Sequence, residues 1–467
     1  MRINIVFATI LIIQSLNISC GKTEVGKKQI PDFSQYTVTS LPDFAQNSVI
    51  YELYVRSFTP EGTFQAVEKR IPYLKKLGVD IIWFMPIYPI GEKGRKGKLG
   101  SPYAVKDFRA INPEFGDFNS YKHLVDELHK AGFKVILDFV PNHAANDNVL
   151  TGEHPEWFIK DQSGNFTREV ADWSDVIDFN YSQPELQEYI IESMLYWIKS
   201  FGIDGFRCDV AGMVPYEFWE KAIPRLKAVK PDLYLLAEWE DPELLVKGFH
   251  SDYDWTLYDL LRNIRAGKAR TSAAIEAIYR KESHYPKNAL PLRFLENHDK
   301  QRSMKVFGVE AIDAYAKFLF TLPGIPLIYA GQEIGETHRP SLFEKDAIQW
   351  SQGDSALLEL YTNLVRIRKS HPCFTHGNFQ PLQVTMLDGA LGAFFRESDE
   401  CASIVLTNLR AESVNRWMVT IPDTLSAQWG NIPFVNVNDS SDAIQLTKNL
   451  SSKSFLPFTT KIYVARK

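Results

Sequence analysis

Two charged residues stand at the end of a short apolar strand, in the stretch Gly205-Phe206-Arg207-Cys208-Asp209-Val210-Ala211. Side chains alternate along a strand, so Arg207 and Asp209 project from one face while Cys208 points the other way. A neighbouring guanidinium favours an ionised carboxylate, and an ionised carboxylate can act as a nucleophile. For an isolated Arg-x-Asp, a purely structural ion pair is the alternative interpretation.

Other polar clusters also follow apolar runs, and helical segments separate these runs. The clusters are residues 138–143, 237–240, 294–299 and 331–333. Such alternation predicts a parallel α/β fold, and in a (β/α)₈ TIM barrel the functional side chains lie at the carboxyl ends of the strands. The sequence therefore predicts a barrel with one polar rim.

Together these stretches resemble the conserved regions of the α-amylase family of glycoside hydrolases. Residues 138–143, 205–211, 238 and 294–299 agree with that family in order, spacing and residue type, and the resemblance covers roughly residues 49–370. Residues 176–180 are similar to the family's short domain B motif. The resemblance implies a (β/α)₈ barrel with a short domain B insertion and a C-terminal antiparallel β domain.

The resemblance assigns roles to individual residues. It implies Asp209 as nucleophile, Glu238 as acid/base, and Asp299 as a carboxylate that holds sugar hydroxyls while the ring distorts. In retaining glycosidases the two reacting carboxyl groups stand about 5–5.5 Å apart. Glu238 follows an apolar strand and precedes Trp239, where desolvation favours a protonated acid, although Glu240 on the same face is a rival. The substrate-binding residues implied are Tyr103, His143, Arg207 and His298.

No cofactor is implied for the chemistry. Asn142 and Asp178 match positions that bind calcium in many family members, and oxygen ligands suit that ion. However, Gly212 and Met213 replace the family's Lys-His pair after the nucleophile, which removes an expected calcium ligand and a substrate-contacting lysine. The sequence therefore disfavours a structural calcium site, and no metal ligand is assigned.

The first residues are typical of an export signal. An apolar run at residues 3–13 is too short to span a bilayer, and a small residue precedes Cys20. This arrangement resembles a bacterial lipoprotein cleavage site, with Cys20 as the lipid-bearing residue, and ordinary secretion is the alternative. Both interpretations predict an exported protein, either anchored to a membrane in the periplasm or at the cell surface, or free.

Length and composition suit a barrel plus a smaller domain: the chain has 467 residues, of which 45% are apolar. A net charge of −5 gives no electrostatic argument for nucleic acid, and the four cysteines fit neither a disulfide framework nor a zinc pattern. The oligomeric state is left open. The predicted segments are a signal (1–20), a tether and entry segment (21–47), the barrel (48–372) with domain B (142–181), and a C-terminal β-sandwich-like domain (373–467).

Two local predictions concern the barrel and its rim. The sixth strand is poorly defined and is placed near residues 255–260. Residues 91–102 form a loop rich in glycine and lysine, which we expect to be solvated and mobile. The loop lacks the Gly-Lys-Ser/Thr of a phosphate-binding loop.

The resemblance implies a retaining hydrolase of α-1,4-glucosidic bonds in starch-like α-glucans or maltooligosaccharides, acting through a covalent glycosyl-enzyme intermediate. A glucanotransferase or an α-glucosidase-like or cyclomaltodextrinase-like enzyme is the alternative within this chemistry. A noncatalytic glucan-binding protein is the alternative from another class, because a fold alone does not establish activity. Three matching carboxylates argue against it.

Overall fold

Eight parallel strands form a ring in the computed structural model, which describes residues 31–385 and 389–467. The predicted signal, Cys20 and the start of the tether lie outside the described residues. Each strand pairs with the next, β1 pairs with β8, and a parallel bridge from Tyr253 to Leu292 completes the ring. The strands are β1 (Ile50–Leu53), β2 (Ile81–Phe84), β3 (Lys134–Phe139), β4 (Gly205–Cys208), β5 (Tyr234–Ala237), β6 (Ser251–Asp252), β7 (Leu292–Arg293) and β8 (Ile325–Tyr329).

Helices surround the ring and also extend into the last part of the chain. They are α1 (Val55–Phe58), α2 (Phe64–Glu68), α3 (Ile71–Leu77), α4 (Phe118–Lys130), α5 (Leu150–Glu153), α6 (Pro184–Phe201), α7 (Tyr216–Val229), α8 (Pro242–Val246), α9 (Trp255–Arg265), α10 (Thr271–His284), α11 (Ser303–Phe307), α12 (Ile312–Phe320), α13 (Ser355–Ser370), α14 (Pro372–Thr375) and α15 (Asp423–Trp429). Short 3₁₀ turns lie at Pro155–Trp157, Ala211–Met213, Gln332–Ile334 and Trp350–Gln352. Among the described helices, none is both long enough and apolar enough to cross a membrane.

The barrel strands have no exposed face, and most of them are apolar runs. All residues of β1, β2, β5 and β8 are buried, as expected for parallel strands covered by helices on one side and barrel core on the other. Helix α6, which feeds β4, ends at Gly202 in the left-handed conformation (φ 73°), where glycine is the favoured residue. These signals are local, which is why the sequence places most elements correctly.

The sixth strand is the exception. It is Ser251–Asp252, and the residues predicted as strand belong to helix α9. The Asp254 side chain caps this helix by accepting a hydrogen bond from the Leu257 N–H. The buried residues Leu257, Leu261 and Ile264 recur every three or four positions, which is a helical and not a strand period.

The insertion after β3 contains a small antiparallel ribbon that borders the rim. Its strands are His143–Ala145 and Val176–Asp178, with His143 opposite Asp178. The segment between them includes α5 and a 3₁₀ turn, and Phe158 returns to pair with Phe179. The insertion is therefore a short wall on one side of the barrel mouth.

Two antiparallel sheets follow the barrel, in the orders β9-β11-β12-β17-β14-β15 and β10-β13-β16. Their strands are β9 (Asn378–Pro381), β10 (Gln383–Thr385), β11 (Leu391–Glu397), β12 (Cys401–Asn408), β13 (Val414–Thr420), β14 (Phe434–Asn436), β15 (Asp439–Ile444), β16 (Asn449–Phe455) and β17 (Thr459–Arg466). The predicted fold class, a (β/α)₈ barrel with a short insertion and a C-terminal antiparallel β domain, is confirmed. A disulfide that the sequence analysis did not predict joins Cys373 in α14 to Cys401 in β12.

Candidate active site

A buried arginine lies at the centre of the polar rim. Arg207, in β4, donates from Nη1 to Asp138 Oδ1 and to Asp209 Oδ1, both at 2.8 Å. Its Nη2 lies 2.8 Å from Glu238 Oε2, and its Nε donates to the Tyr253 hydroxyl at 3.2 Å. One guanidinium therefore holds together carboxyl groups from the ends of three neighbouring strands, β3, β4 and β5.

Glu238 follows β5 and is held as a weak acid. Burial raises its pKa to about 8, with a further contribution from the negative charges of Asp209 and Asp299, against the opposing effect of Arg207. Its Oε2 accepts a hydrogen bond from the Val210 N–H at 2.8 Å. Val210 has φ 37°, a left-handed conformation that a β-branched residue rarely adopts. A carboxylic acid with this pKa can donate a proton at neutral pH.

Asp299 lies in the loop after β7. Unlike Glu238, it is held as an ionised carboxylate. Burial acts to raise its pKa, but the positive charges of His298, Arg207, Arg339 and Lys300 outweigh burial and lower it. The distance from His298 Nε2 to Asp299 Oδ2 is 3.4 Å. This carboxylate therefore remains ionised where Glu238 keeps its proton.

His298 is held as a cation. Burial acts to lower its pKa, but Asp299 and the buried Glu52, which contacts Nδ1, raise it to about 9. Its ring stacks on Tyr103 with centroids 5.4 Å apart, and its Nε2 lies 2.7 Å from the Tyr103 hydroxyl. That hydroxyl in turn donates to Asp138 Oδ2 at 3.1 Å. The chain Glu52, His298, Tyr103 and Asp138 fixes the floor of the site.

His143 approaches the site from the insertion. Its Nε2 lies 3.8 Å from Asp209 Oδ2, and burial lowers its pKa, so the ring is neutral at pH 7. A neutral imidazole can both donate and accept a hydrogen bond, which suits contact with hydroxyl groups. Asp107 accepts a hydrogen bond from the Arg109 N–H and is not among the residues lining the cavity.

A cavity of about 200 Å³ lies over these groups. Six of the predicted residues line it, and the seventh, Arg207, is buried beneath them. The remaining lining residues were not predicted. They are Lys96, Ser101, Trp173, Asp175, Val176, Val210, Leu342 and Phe343.

Trp239 is a further residue whose position the sequence did not reveal. Its indole lies over Gly212: a Cβ added there would stand 2.4 Å from three indole atoms. The side chain is 36% exposed beside Glu238. The signal was present in the sequence, since Gly212 stands where the resemblance expects a lysine, and its lack of a side chain makes room for a flat aromatic surface.

The residues matched to a calcium site, Asn142 and Asp178, contact other groups of the protein. Asp178 Oδ2 accepts the Glu169 N–H at 2.6 Å, and Asn142 Nδ2 faces His143 Nδ1 at 3.3 Å. Over residues 31–385 and 389–467, no group of three or more His, Cys, Asp and Glu side chains is placed to hold an ion.

A (β/α)₈ barrel with several carboxyl groups at its carboxyl-terminal rim, one of which has a raised pKa, is compatible with glycoside hydrolysis. Residues 39–173 and 151–353 match the family model described as alpha amylase, catalytic domain. The chain belongs to the alpha-amylase family of glycoside hydrolases.

Relatives and solved structures agree with this assignment. The chain is 30% identical over 389 residues to alpha-amylase MalA of Haloarcula japonica, covering 79% of this chain but 56% of that relative's length. It is 28% identical over 436 residues to a maltogenic alpha-amylase of Bacillus acidopullulyticus, covering 82% and 73% of the two chains. A noncanonic maltogenic alpha-amylase, AmyB of Thermotoga neapolitana, superposes with a TM-score of 0.82 at 32% identity, over 90% of this chain and 99% of that one.

Proposed function

We propose that the enzyme hydrolyses α-1,4-glucosidic bonds in starch-like α-glucans or maltooligosaccharides, with retention at the anomeric carbon. The observation that supports this most strongly is the shared contact of Arg207 with Asp209 and Glu238. It holds a candidate nucleophile and a protonated candidate acid against the same cavity. The names of relatives, which include a cyclomaltodextrinase of a Bacillus species and the maltogenic enzymes, support the substrate class.

In the first step, Asp209 attacks the anomeric carbon of the bound sugar. Its Oδ1 is held by Arg207, so we assign the attack to Oδ2, which faces the cavity beside His143. Glu238 gives its proton to the glycosidic oxygen as the bond from that oxygen to the anomeric carbon breaks. The leaving chain departs with the proton, and the sugar remains as an ester on Asp209.

In the second step, the Glu238 carboxylate takes a proton from water, and that water attacks the anomeric carbon. The ester bond breaks, Asp209 is released as a carboxylate and Glu238 regains its proton. Asp299, His298, His143 and Tyr103 bind hydroxyl groups of the same ring. Hydrogen bonds that strengthen as the ring distorts lower the barrier and do not merely improve binding.

Transfer to a sugar instead of water is the second candidate activity. The exposed Trp239 ring beside Glu238 favours it, because an aromatic face can hold an acceptor sugar where water would otherwise enter. Added glucose or maltose should then shift the products towards longer chains. A glucan-binding protein without activity remains the alternative from the other class.

A product analysis tests the proposal. Protein beginning at residue 21 is incubated with soluble starch, pullulan, a cyclodextrin or maltoheptaose, beside Asp209→Asn. We expect maltooligosaccharides only from the parent, since loss of the nucleophile should lower the rate by a factor of about 10⁴ or more. Sugar release by Asp209→Asn at the parental rate would exclude Asp209 as nucleophile. Binding of glucan by a parent that releases nothing from any substrate would support the glucan-binding alternative.

We also propose that the chain is exported and anchored by lipid on Cys20. The disulfide between Cys373 and Cys401 supports an oxidising compartment. In fractionated cells, Cys20→Ala should move the protein from the membrane to the soluble exported fraction. Retention of the parent in the cytoplasm would contradict export.

We propose, finally, that neither a cofactor nor calcium is needed. Dialysis against EDTA should leave the rate and the melting temperature unchanged, and recovery with added Ca²⁺ after a loss would contradict this.

A further inference from the structure

Residues 91–100, the glycine- and lysine-rich segment after β2, form a loop that we call the strap. The sequence analysis expected a solvated, mobile loop. Residues 92–94, 97 and 98 are exposed, as expected of a solvated loop, but the segment is also attached at several points. On one side it meets the insertion: Lys96 Nζ lies 3.1 Å from Asp175 Oδ1 and donates to the Asp172 carbonyl at 2.8 Å. Asn146 Nδ2 donates to the Lys93 carbonyl at 3.1 Å.

On its other side the strap meets the loop after β8. The Leu99 N–H donates to the Phe343 carbonyl at 2.9 Å, and the Lys98 N–H donates to Glu344 Oε1 at 3.0 Å. The strap therefore joins the insertion to the β8 loop across the barrel mouth.

A buried arginine reinforces the second junction from below. Arg56 Nη1 donates to the carbonyls of Gly100 and Leu342, both at 2.9 Å, while Glu114 balances its charge at 2.9 Å. Because Arg56 is fully buried, these bonds are shielded from water, and one side chain fixes the end of the strap and the β8 loop together.

The glycines of the strap are required by this close approach. Gly97 has φ 63°, and a Cβ there would stand 2.7 Å from Phe343 Cβ. Gly94 has φ 76°, and a Cβ there would stand 2.9 Å from Asn146 Nδ2. Both positions combine a left-handed backbone with a contact that only glycine allows. The glycines therefore permit a loop that stays exposed but lies close to both of its neighbours.

The strap follows β2, on the side of the ring away from the strand that precedes the acid. Strands β2 and β8 flank β1, which lies across the ring from β5, the strand that precedes Glu238. Lys96, Asp175 and Phe343 line the cavity, so the strap contributes one side chain to it, and two residues that the strap contacts lie beside that side chain.

The chemistry fixes which part of a glucan meets this end. The leaving chain must lie beside Glu238, which gives it a proton, and the sugar attacked by Asp209 lies in the cavity. The rest of that sugar's own chain runs towards its non-reducing end, and hence towards the strap.

We propose that the strap makes the enzyme exo-acting: it admits one or two glucose units beyond the cleavage point, so that chains enter by their non-reducing ends. This inference rests on the proposed glucan hydrolysis and deepens it. Lys96 is the residue that we assign to specificity, because it is the strap residue that lines the cavity and its ion pair with Asp175 joins the strap to the insertion there.

The test uses maltoheptaose labelled at its reducing end, with the non-reducing glucose either free or blocked by a 4,6-ethylidene group. The parent should first release glucose or maltose from the free substrate. It should cleave the blocked substrate about 100-fold more slowly, because a pocket that ends at the strap leaves no room for the ethylidene group. The rate on the free substrate divided by the rate on the blocked substrate should decrease about tenfold or more in two variants. These are Lys96→Ala and a variant in which two glycines replace residues 93–98.

Lys98→Ala is the matched control. It removes the same charge from the strap, but its side chain is exposed and is not among the cavity-lining residues, so the ratio should not change. Activity on maltosyl fluoride confirms that each variant is folded. Cleavage of both substrates at equal rates by the parent, or an unchanged ratio in an active variant lacking residues 93–98, would overturn the inference. No release from any glucan would instead overturn the proposed function, and the inference with it.

Discussion

Opposite ionisation of neighbouring carboxyl groups is the property of single residues on which the proposed mechanism depends. Buried charges are costly unless they are paired, and Arg207 is paired with Asp138, Asp209 and Glu238 at once. Burial raises the pKa of Asp138 to about 7 and that of Glu238 to about 8, so Glu238 keeps the proton that the reaction uses at neutral pH.

The raised pKa of Glu238 predicts the alkaline limit of activity. The acid must be protonated, so kcat/KM for maltoheptaose should fall as pH rises through about 8. Maltosyl fluoride needs no proton for its leaving group. Glu238→Gln should therefore retain activity on this substrate, and its kcat/KM should not fall as pH rises through about 8. If kcat/KM of Glu238→Gln still fell as pH rose through about 8, a group other than Glu238 would be responsible for the loss of activity.

Trp239 predicts an effect on the leaving chain alone. Trp239→Ala should lower kcat/KM for maltoheptaose about tenfold, because loss of an aromatic contact is worth about 0.5–1.5 kcal/mol beyond the buried area. Maltosyl fluoride, whose leaving group does not reach the indole, should react at the parental rate. Tyr279→Ala, which removes a 49% exposed ring on α10, is the control. If Trp239→Ala lowered kcat/KM equally for both substrates, Trp239 would act by positioning Glu238 and not by contacting the leaving chain.

At the scale of elements, Asp204 joins the helix before β3 to the strands β3 and β4. It precedes β4, its Oδ2 lies 2.7 Å from His129 Nε2 in α4, and the same oxygen accepts the Val135 N–H at 2.9 Å. Burial acts to raise its pKa, but these hydrogen bonds and the charge of Lys134 lower it to about 2. One buried carboxylate thus fixes the start of two strands that end at the active site.

Asp204→Asn should therefore destabilise the barrel in a pH-dependent way. A depressed pKa contributes stability above the unfolded value of about 3.9, and this stability is lost as pH falls towards 2. We expect the variant to lose about 2 kcal/mol of unfolding free energy at pH 7 in urea titrations, with the difference shrinking below about pH 4. A difference that stays constant with pH would attribute the loss to packing.

Sequence patterns predicted the elements with local signals and missed those that depend on distant partners. The motifs ending at Asp138, Asp209 and Glu238 follow compact apolar strands, so their shared rim could be inferred. The strap could not, because Lys96 meets Asp175 and Phe343 only after the chain has folded around the barrel. The sixth strand was misplaced because α9 offers a longer apolar pattern than two residues of strand.

At the scale of the whole molecule, the disulfide joins the end of the barrel to the C-terminal sheets. Cys373 lies in α14, directly after the last barrel helix, and Cys401 is the first residue of β12. The two cysteines have a sequence separation of 28. The sequence analysis did not pair these cysteines, because the short helix and the strand come together only through tertiary packing. Cross-links of this kind stabilise mainly by restricting the unfolded chain.

A double Cys373→Ala and Cys401→Ala variant should lose about 2–4 kcal/mol of unfolding free energy. The parent should show a lower melting temperature in dithiothreitol, while the double variant should not respond to the reductant. Unfolded protein beginning at residue 21 should react with a thiol reagent at Cys208 alone. Three reactive thiols in the parent would contradict the cross-link.

The closure of the barrel between β6 and β7 has a consequence for heat inactivation. In the described chain these strands have two residues each, and Tyr253 bridges to Leu292 where the other neighbours form ladders. The hydroxyl of the same tyrosine accepts a hydrogen bond from Arg207 Nε. If β6 and β7 separated briefly, Arg207 would lose its hydrogen bond to Tyr253 while the rest of the ring stayed intact. The enzyme should therefore stop working several degrees before it melts, and cooling should restore it.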